Sequence, residues 1–184
     1  MVLYADASLP SEAGGQKMNA VPRIGWVIFT PGSRPKAFTM VVNESITKHL
    51  LERRQQITAL EAFAALAAPA ISPELFEGRE VIWFVDNESA VSSLIRGASR
   101  PEDLNHVAAL STLTFAKLKC KVWFEWIDTE SNPSDGLSRE GLSDAWTKLQ
   151  PWDCTDLGEK DWSALFKVDL SNPQSIPTTF HINP

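Results

Sequence analysis

Four carboxylates at widely separated positions are the residues of this sequence best suited to chemistry. Asp6, Glu61, Asp86 and Asp135 each fall where the local pattern predicts a strand end or a helix. Carboxylates held near apolar elements cost free energy unless cations neutralise them, and hard oxygen ligands suit Mg²⁺ or Mn²⁺. The pattern therefore predicts a divalent-metal site and favours metal-dependent phosphodiester chemistry.

Composition limits the class of protein. With 184 residues and 43% hydrophobic content, the chain is large enough for one full-sized core. No stretch approaches the roughly 20 apolar residues of a membrane span, and the N-terminus lacks a basic segment followed by an apolar one. We therefore expect an intracellular protein, either cytoplasmic or nuclear. Cys120 and Cys154 lack CxxC spacing and a companion His, which argues against a disulfide scaffold or a zinc site.

The net charge of −6 at first argues against a nucleic-acid partner, because phosphate binding is driven by Lys and Arg. The charge is unevenly distributed: residues 1–139 contain 16 acidic and 14 basic residues, whereas residues 140–184 contain 7 and 3. Cations bound to the four carboxylates would bring the first segment close to neutral. Seven basic residues could then form a surface that faces phosphates, although each also fits an ordinary solvated charge. They are Arg53, Arg54, Arg96, Arg100, Lys117, Lys119 and Lys121.

The first half of the chain predicts a meander followed by a helix. Alternating apolar residues predict strands at 2–8, 24–30 and 36–42, with a loop over 9–22, and short connections favour antiparallel pairing. After about residue 48 the period becomes helical in an Ala-rich segment that we expect to end before Pro69, with Glu61 beside its apolar stripe. Residues 81–85 are continuously apolar, which predicts an interior strand with Asp86 at its carboxyl edge.

The second half predicts two helices, a strand and a third helix. A short helix over 88–96 is closed by Gly97, a longer one runs from about residue 100 to 119, and a strand covers 122–127. Asn132 and Pro133 match an N-cap and the first helical position, so Asp135 should lie in a first helical turn. We divide the chain into a catalytic domain, 1–139, and an extension, 140–184. Trp146, Trp152 and Trp162 indicate that this extension is partly packed, with a loose end.

The element order and four local motifs resemble the ribonuclease H family. The motifs are YADAS at 4–8, ITALE at 57–61, FVDN at 84–87 and NPSDGLSR at 132–139. The last one resembles the ending of ribonuclease H domains attached to the reverse transcriptases of retrotransposons. The resemblance implies an α/β fold with a five-stranded mixed sheet flanked by helices. Its strands 1, 2 and 3 form the antiparallel meander, and strands 4 and 5 are parallel.

The resemblance also implies an activity. Members hydrolyse the RNA strand of RNA–DNA hybrids endonucleolytically, by catalysis with two Mg²⁺ ions that Mn²⁺ can replace. By this resemblance Asp6 bridges both ions, while Glu61, Asp86 and Asp135 complete the ligand sets. The product expected is RNA with a 5′ phosphate and a 3′ hydroxyl. The partners expected are the hybrid and an attached reverse transcriptase domain.

Side chains that read the hybrid should lie close to these ligands. Hydrogen-bond donors near them in the sequence would contact the 2′-hydroxyls of the RNA strand. The candidates, each of which also fits a helix cap or a solvated residue, are Asn87, Ser89, Gln55, Gln56, Thr58 and Arg96. Trp83, Trp123 and Trp126 are possible stacking platforms for bases, but their positions inside strands favour packing in the core.

Two departures from better-known members bear on turnover and affinity. The loop at 128–131 has no His where many members carry one, and Glu130 is the nearest substitute. We expect His49, His106 and His181 to be structural or surface residues. Residues 97–105 leave little room for the basic helical protrusion of some cellular members, so affinity for substrate should be weak.

Two alternative functions stay open. One is a non-catalytic ribonuclease H-like module for binding or assembly, which the presence of all four carboxylates disfavours. The other is a DNA nuclease or strand-transfer enzyme of the same superfold. Integrase-type sites end in a Glu on a helix, whereas here Glu61 comes second and Asp135 last, which disfavours this alternative.

Overall fold

Alternation of apolar and polar residues builds three strands that pair antiparallel. The computed structural model describes residues 1–10, 12–13, 16–17, 21–51 and 56–172. Strands β1 (Val2–Ser8), β2 (Arg23–Phe29) and β3 (Lys36–Val41) form the predicted meander. Part of the predicted loop between β1 and β2 forms a separate hairpin, in which Glu12–Ala13 pairs with Gln16–Lys17.

Three further strands join this sheet. The predicted interior strand β4 (Glu80–Val85) pairs parallel with β1, and β5 (Lys121–Trp126) pairs parallel with β4. At the opposite edge β6 (Asp153–Asp156) pairs parallel with β3. The sheet therefore has six strands in the order β5-β4-β1-β2-β3-β6, rather than the predicted five. Strand β6 was not predicted because its four residues, DCTD, are all exposed and lack apolar alternation.

Helices connect the strands. They are α1 (Glu44–Thr47), α2 (Gln56–Ile71), α3 (Glu88–Arg96), α4 (Glu102–Lys117), α5 (Asp135–Arg139) and α6 (Ala145–Lys148). Short 3-10 helices lie at Pro73–Leu75, Thr129–Ser131, Gly141–Ser143 and Leu165–Lys167. As predicted, α3 ends at Gly97, whose φ of 62° is in the left-handed region that glycine favours.

Helix α2 is the central helix and contacts β1, α3 and α4. Its alanines are buried along almost its whole length, so neighbouring elements can approach it closely. Pro69 lies inside α2, and the prediction that the helix ends before this residue is wrong. Pro69 lacks a backbone N–H and therefore removes one hydrogen bond near the C-terminal end of α2. The free energy gained by burying the surrounding residues outweighs this loss.

The two faces of the sheet are covered differently. Trp26 packs in the main core with α2, whereas its neighbour Val27 packs with Leu137 of α5, because successive strand residues point to opposite faces. On the side of Val27, the surface next to β4 and β5 is open: Ile82 is 46% and Trp123 68% exposed.

The three strand tryptophans have different environments. Trp83 is fully buried, as predicted. The prediction of core packing is wrong for Trp123 and for Trp126, which is 46% exposed. Trp123 lies on the open face beside Ile82, with which it pairs, and Trp126 is the last residue of β5.

The chain after residue 139 contributes to the core as well as to the sheet. Trp162 is buried with its ring 4.9 Å from that of Phe63, and Leu165 is buried beside it. The division of the chain at 139 stays a prediction, and the predicted loose end, from 173, lies outside the described residues. None of the helices in the described part of the chain has the length and apolarity that a bilayer crossing requires.

Candidate active site

Three of the four predicted carboxylates converge at one edge of the sheet. Asp6 lies near the end of β1, Asp86 directly follows β4, and Glu61 projects from α2. The parallel register of β1 and β4 pairs Ala5 with Val85, so the next residue in each strand is one of the two aspartates. One oxygen from each of the three carboxylates lies within 4.8 Å of the others.

Burial and mutual repulsion make this cluster costly in the ionised form. Asp6 and Glu61 are only 4% and 3% exposed. Burial, with the Asp86 charge next in importance, raises the pKa of Asp6 to about 8. Burial also raises the pKa of Glu61 well above its usual range, and the charges of Asp6 and Asp86 raise it further. The cluster therefore resists full ionisation without a counter-charge.

The donor set fits divalent cations. Glu61 Oε2 is buried and has no hydrogen-bond partner among the described residues. A buried carboxylate oxygen without a partner is unusual, and a bound cation would satisfy it. Three converging carboxylates are also the oxygen-rich environment that Mg²⁺ and Mn²⁺ prefer.

Asp135 lies beside this group rather than within it. It is in the first turn of α5, as predicted, and its Oδ1 accepts a hydrogen bond from Arg139 Nε at 2.7 Å. Its charge still helps to raise the pKa of Asp6, after burial and Asp86, so the two carboxylates interact. Ser138 links them, because its Oγ lies within hydrogen-bonding distance of Asp6 Oδ2 and 2.9 Å from the Asp135 carbonyl oxygen.

Close contacts hold α5 against the sheet. A Cβ at Gly25, the residue paired with Asp6, would lie only 2.6 Å from Leu137 Cβ and 2.9 Å from Ser138 N. Ser8 Oγ donates to the Ser138 carbonyl at 2.5 Å, and Thr39 Oγ1 donates to the Leu137 carbonyl at 2.9 Å. These contacts fix the position of Asp135 relative to Asp6.

The turn before α5 is anchored by Asn132. Its Nδ2 donates to the Ala5 carbonyl at 3.0 Å, and its Oδ1 accepts from Ser134 N at 3.1 Å. The prediction of Asn132 as the helix N-cap and Pro133 as the first helical residue is wrong, because α5 begins at Asp135 with Ser134 as its N-cap; Asn132 instead closes the turn before the helix. Sequence analysis missed the roles of Gly25, Thr39 and Ser138. Ser138 lies within the NPSDGLSR motif, but its partners are remote along the chain.

A groove of about 720 Å³, which we call the α3–α4 groove, lies near the cluster. Three of the predicted substrate-binding residues, Thr58, Ser89 and Arg96, line it together with Arg100. Asn87 lies beside it and has structural roles, because its Nδ2 donates to Thr58 Oγ1 at 3.3 Å and its Oδ1 caps α3. Gln56 is the first residue of α2 and is not among the lining residues, and Gln55 lies outside the described residues.

A second groove, of about 640 Å³, lies on the other side of the cluster, and we call it the aromatic groove. Tyr4, Phe29 and Trp146 supply aromatic side chains, and Glu130, Asp135 and Asp144 supply carboxylates. Glu130 is the residue predicted as a substitute for the missing loop His, and the structure places it in the lining of this groove.

The other candidate residues lie elsewhere. The rings of His49 and His106 stack on Phe166, at 4.4 and 5.9 Å, consistent with the structural role predicted for them. Lys121 pairs with Glu80 at 2.9 Å on the exposed surface. Arg53, Arg54 and His181 lie outside the described residues.

The architecture matches solved ribonuclease H structures. RNase H1 from the halophilic archaeon Halobacterium salinarum NRC-1 superposes with a TM-score of 0.51 and 16% identity, covering 78% of this chain and 98% of that one. The N-terminal RNase H domain of a Mycobacterium tuberculosis protein, solved as a fusion with maltose-binding protein, gives 0.52 and 15%, covering 80% and 96%. The sequence itself matches no family model and no curated protein. This chain therefore has a ribonuclease H fold, as predicted.

Proposed function

We propose that this protein cuts the RNA strand of RNA–DNA hybrids internally, using two divalent cations held by its carboxylates. The observation that carries the proposal is the convergence of Asp6, Glu61 and Asp86 within 4.8 Å at one edge of a ribonuclease H fold. The buried Glu61 oxygen without a partner supports the cation requirement.

The residues of this chain have distinct roles in the proposed reaction. Bound Mg²⁺, or Mn²⁺ in its place, would supply the activation of a water and the stabilisation of the departing 3′ oxygen. Asp6, Glu61 and Asp86 would hold the two ions, and Asp135 would complete the set from α5. Thr129 Oγ1 orients Asp86 by donating to its Oδ2 at 2.9 Å. Arg139 fixes one oxygen of Asp135 in the same way.

The α3–α4 groove suits the nucleic acid. Arg96 and Arg100 supply positive charge for phosphates, and the hydroxyls of Thr58 and Ser89 can bond sugar or phosphate oxygens. The groove lies close to the carboxylates, because Thr58 is three residues before Glu61 in α2 and bonds Asn87, the residue after Asp86. This arrangement supports a hybrid that crosses the cluster and continues along α3.

A retroelement context rests on sequence motifs alone. The NPSDGLSR segment at 132–139 resembles domains attached to reverse transcriptases, and on that resemblance we assign this chain a reverse transcriptase domain as its functional partner.

The decisive experiment is cleavage of a hybrid labelled on its RNA strand. With Mg²⁺, the parent should cut the RNA and leave 5′ phosphates and 3′ hydroxyls. Asp86→Asn should reduce the rate about 10³-fold, which corresponds to about 4 kcal/mol of transition-state stabilisation. Glu125→Gln, which changes an exposed carboxylate on neighbouring β5, is the matched control and should cut normally.

Each other outcome contradicts the proposal in a specific way. Equal cutting by the parent and Asp86→Asn removes Asp86 from the mechanism. Binding of hybrid without cutting by the parent supports a non-catalytic module. Preference for duplex or branched DNA supports a DNA nuclease or strand-transfer enzyme.

A further inference from the structure

A row of aromatic side chains runs along the face of the sheet that carries Val27, from β4 to the covered part, where Phe29 and Trp152 pack against Val27 and Leu137. The ring of Phe84 stacks on Tyr4 at 5.0 Å, and Tyr4 meets Phe29 edge-on at 5.8 Å. The row continues through Trp152 to Trp146, with ring separations of 6.0 and 5.2 Å. Trp146 is 48% exposed, and Tyr4 and Phe29 are half-buried in the floor of the aromatic groove. Connected apolar surface of this kind usually marks an interaction site.

The charged residues that line the aromatic groove are all acidic. Glu130, Asp135 and Asp144 line the aromatic groove, and no Lys or Arg does so among the described residues. Arg139 already pairs with Asp135. Neither Glu130 nor Asp144 has an ion-pair partner in the described part of the chain. Carboxylates and aromatic faces both attract cations, so the groove combines two features that favour a guanidinium or ammonium group.

We propose that the aromatic groove is a docking site for a partner polypeptide that presents an Arg or Lys side chain flanked by apolar residues. Apolar neighbours would cover Tyr4, Phe29 and Trp146, while the cation meets Glu130 and Asp144. The acidic lining repels phosphates, which disfavours nucleic acid here, whereas Arg96 and Arg100 line the other groove. A second copy of this chain is a poor occupant, because the net charge is −6 and residues 140–184 contain only 3 basic against 7 acidic residues.

The groove shares Asp135 with the proposed cation set, but Glu130, Asp144 and the aromatic row lie outside that set. Docking can therefore be measured on metal-free protein, and its result does not depend on whether the protein cuts hybrid.

The test is a titration of the full chain, labelled with ¹⁵N, with the synthetic peptide Ac-GLRLRG-amide. The indole N–H signals of Trp146 and Trp152 should shift in a saturable manner, while that of Trp123, outside the groove, should not. Trp146→Ala should weaken binding about threefold, the factor expected for loss of one exposed cation–π contact. Glu130→Lys should weaken it at least as much, and the peptide with Glu in place of Arg should not bind.

Matched controls and competing occupants complete the test. Trp123→Ala removes a tryptophan that is more exposed than Trp146 but lies outside the groove, and it should leave affinity unchanged. Absence of saturable shifts, or shifts that are insensitive to Trp146→Ala and Glu130→Lys, would overturn the proposal. So would stronger shifts with an oligouridylate strand than with the peptide. Self-association in sedimentation experiments that disappears in Trp146→Ala would instead assign the groove to a second copy.

Discussion

The two grooves beside the carboxylates have opposite chemistry. The α3–α4 groove carries Arg96 and Arg100, with one acidic residue, Glu88, among hydroxyl side chains, whereas the aromatic groove carries only acidic charged groups, beside aromatic rings. Thr58 in the first groove lies close to Glu61 along α2, and Asp135, beside the cluster, lines the second. The net charge of the whole chain, −6, therefore does not predict the local charge of either groove. The local charge decides which ligand each groove suits.

The carboxylates between the grooves should dominate the pH dependence of stability. A raised pKa means that the folded state keeps a proton that the unfolded state has lost, so stability falls as pH rises. For Asp6 this occurs from about pH 4, the unfolded value, to about 8, the folded value. Without metal, the free energy of unfolding should fall between pH 5 and 8 by up to about 4 kcal/mol, the limit for one proton over three pH units. Urea denaturation at each pH measures this.

A control separates Asp6 from other titrating groups. Burial lowers the pKa of His49, and a lowered histidine pKa raises stability with pH near 6, the opposite slope. The informative quantity is therefore the difference between the parent and Asp6→Asn, whose stability should depend less on pH. Millimolar Mn²⁺ should flatten the curve of the parent. Identical pH curves for the parent and Asp6→Asn would show that Asp6 ionises normally.

Local signals predicted the elements that hold the carboxylates. The apolar run before Asp86 and the helical stripe beside Glu61 depend on nearby residues, and the structure places both as expected, with Asp135 in a first helical turn although its N-cap is Ser134 and not Asn132. Features that depend on remote partners were not predictable in this way. The exposure of Trp123 depends on which remote elements cover its face of the sheet, and the link from Ser138 to Asp6 joins residues 132 positions apart.

Gly25→Ala should damage one groove and spare the other. The added Cβ would lie 2.6 Å from Leu137 Cβ, so α5, which carries Asp135 at the aromatic groove, must move away from the sheet. We expect about 2 kcal/mol of destabilisation and about 10²-fold slower cleavage, the size of effect produced by misplacing a reacting group by about 1 Å. Hybrid affinity should change less than about threefold, because α3 and α4 do not touch Gly25.

Gly32→Ala is the control for the glycine substitution. A Cβ at Gly32 meets nothing within 4 Å, although its φ of 75° imposes backbone strain. This variant should lose some stability and keep full cleavage activity. Circular dichroism and urea denaturation would show that both variants are folded under assay conditions. If Gly25→Ala cuts hybrid as fast as the parent, the position of α5 does not matter for the chemistry.

Reversing the charge of the α3–α4 groove is the most direct test of the contrast between the grooves. Arg96→Glu combined with Arg100→Glu should weaken hybrid binding about tenfold at moderate salt and reduce the slope of log affinity against log salt by about two, one for each phosphate contact. Cleavage at saturating hybrid should change little, since neither arginine lies in the carboxylate cluster.

Arg34→Glu combined with Lys36→Glu is the control. These residues lie at the opposite side of the sheet near β6, so the double variant changes the net charge equally but should weaken hybrid binding much less. If both double variants lose hybrid affinity equally, affinity depends on net charge alone. The α3–α4 groove would then not be the binding site for the hybrid.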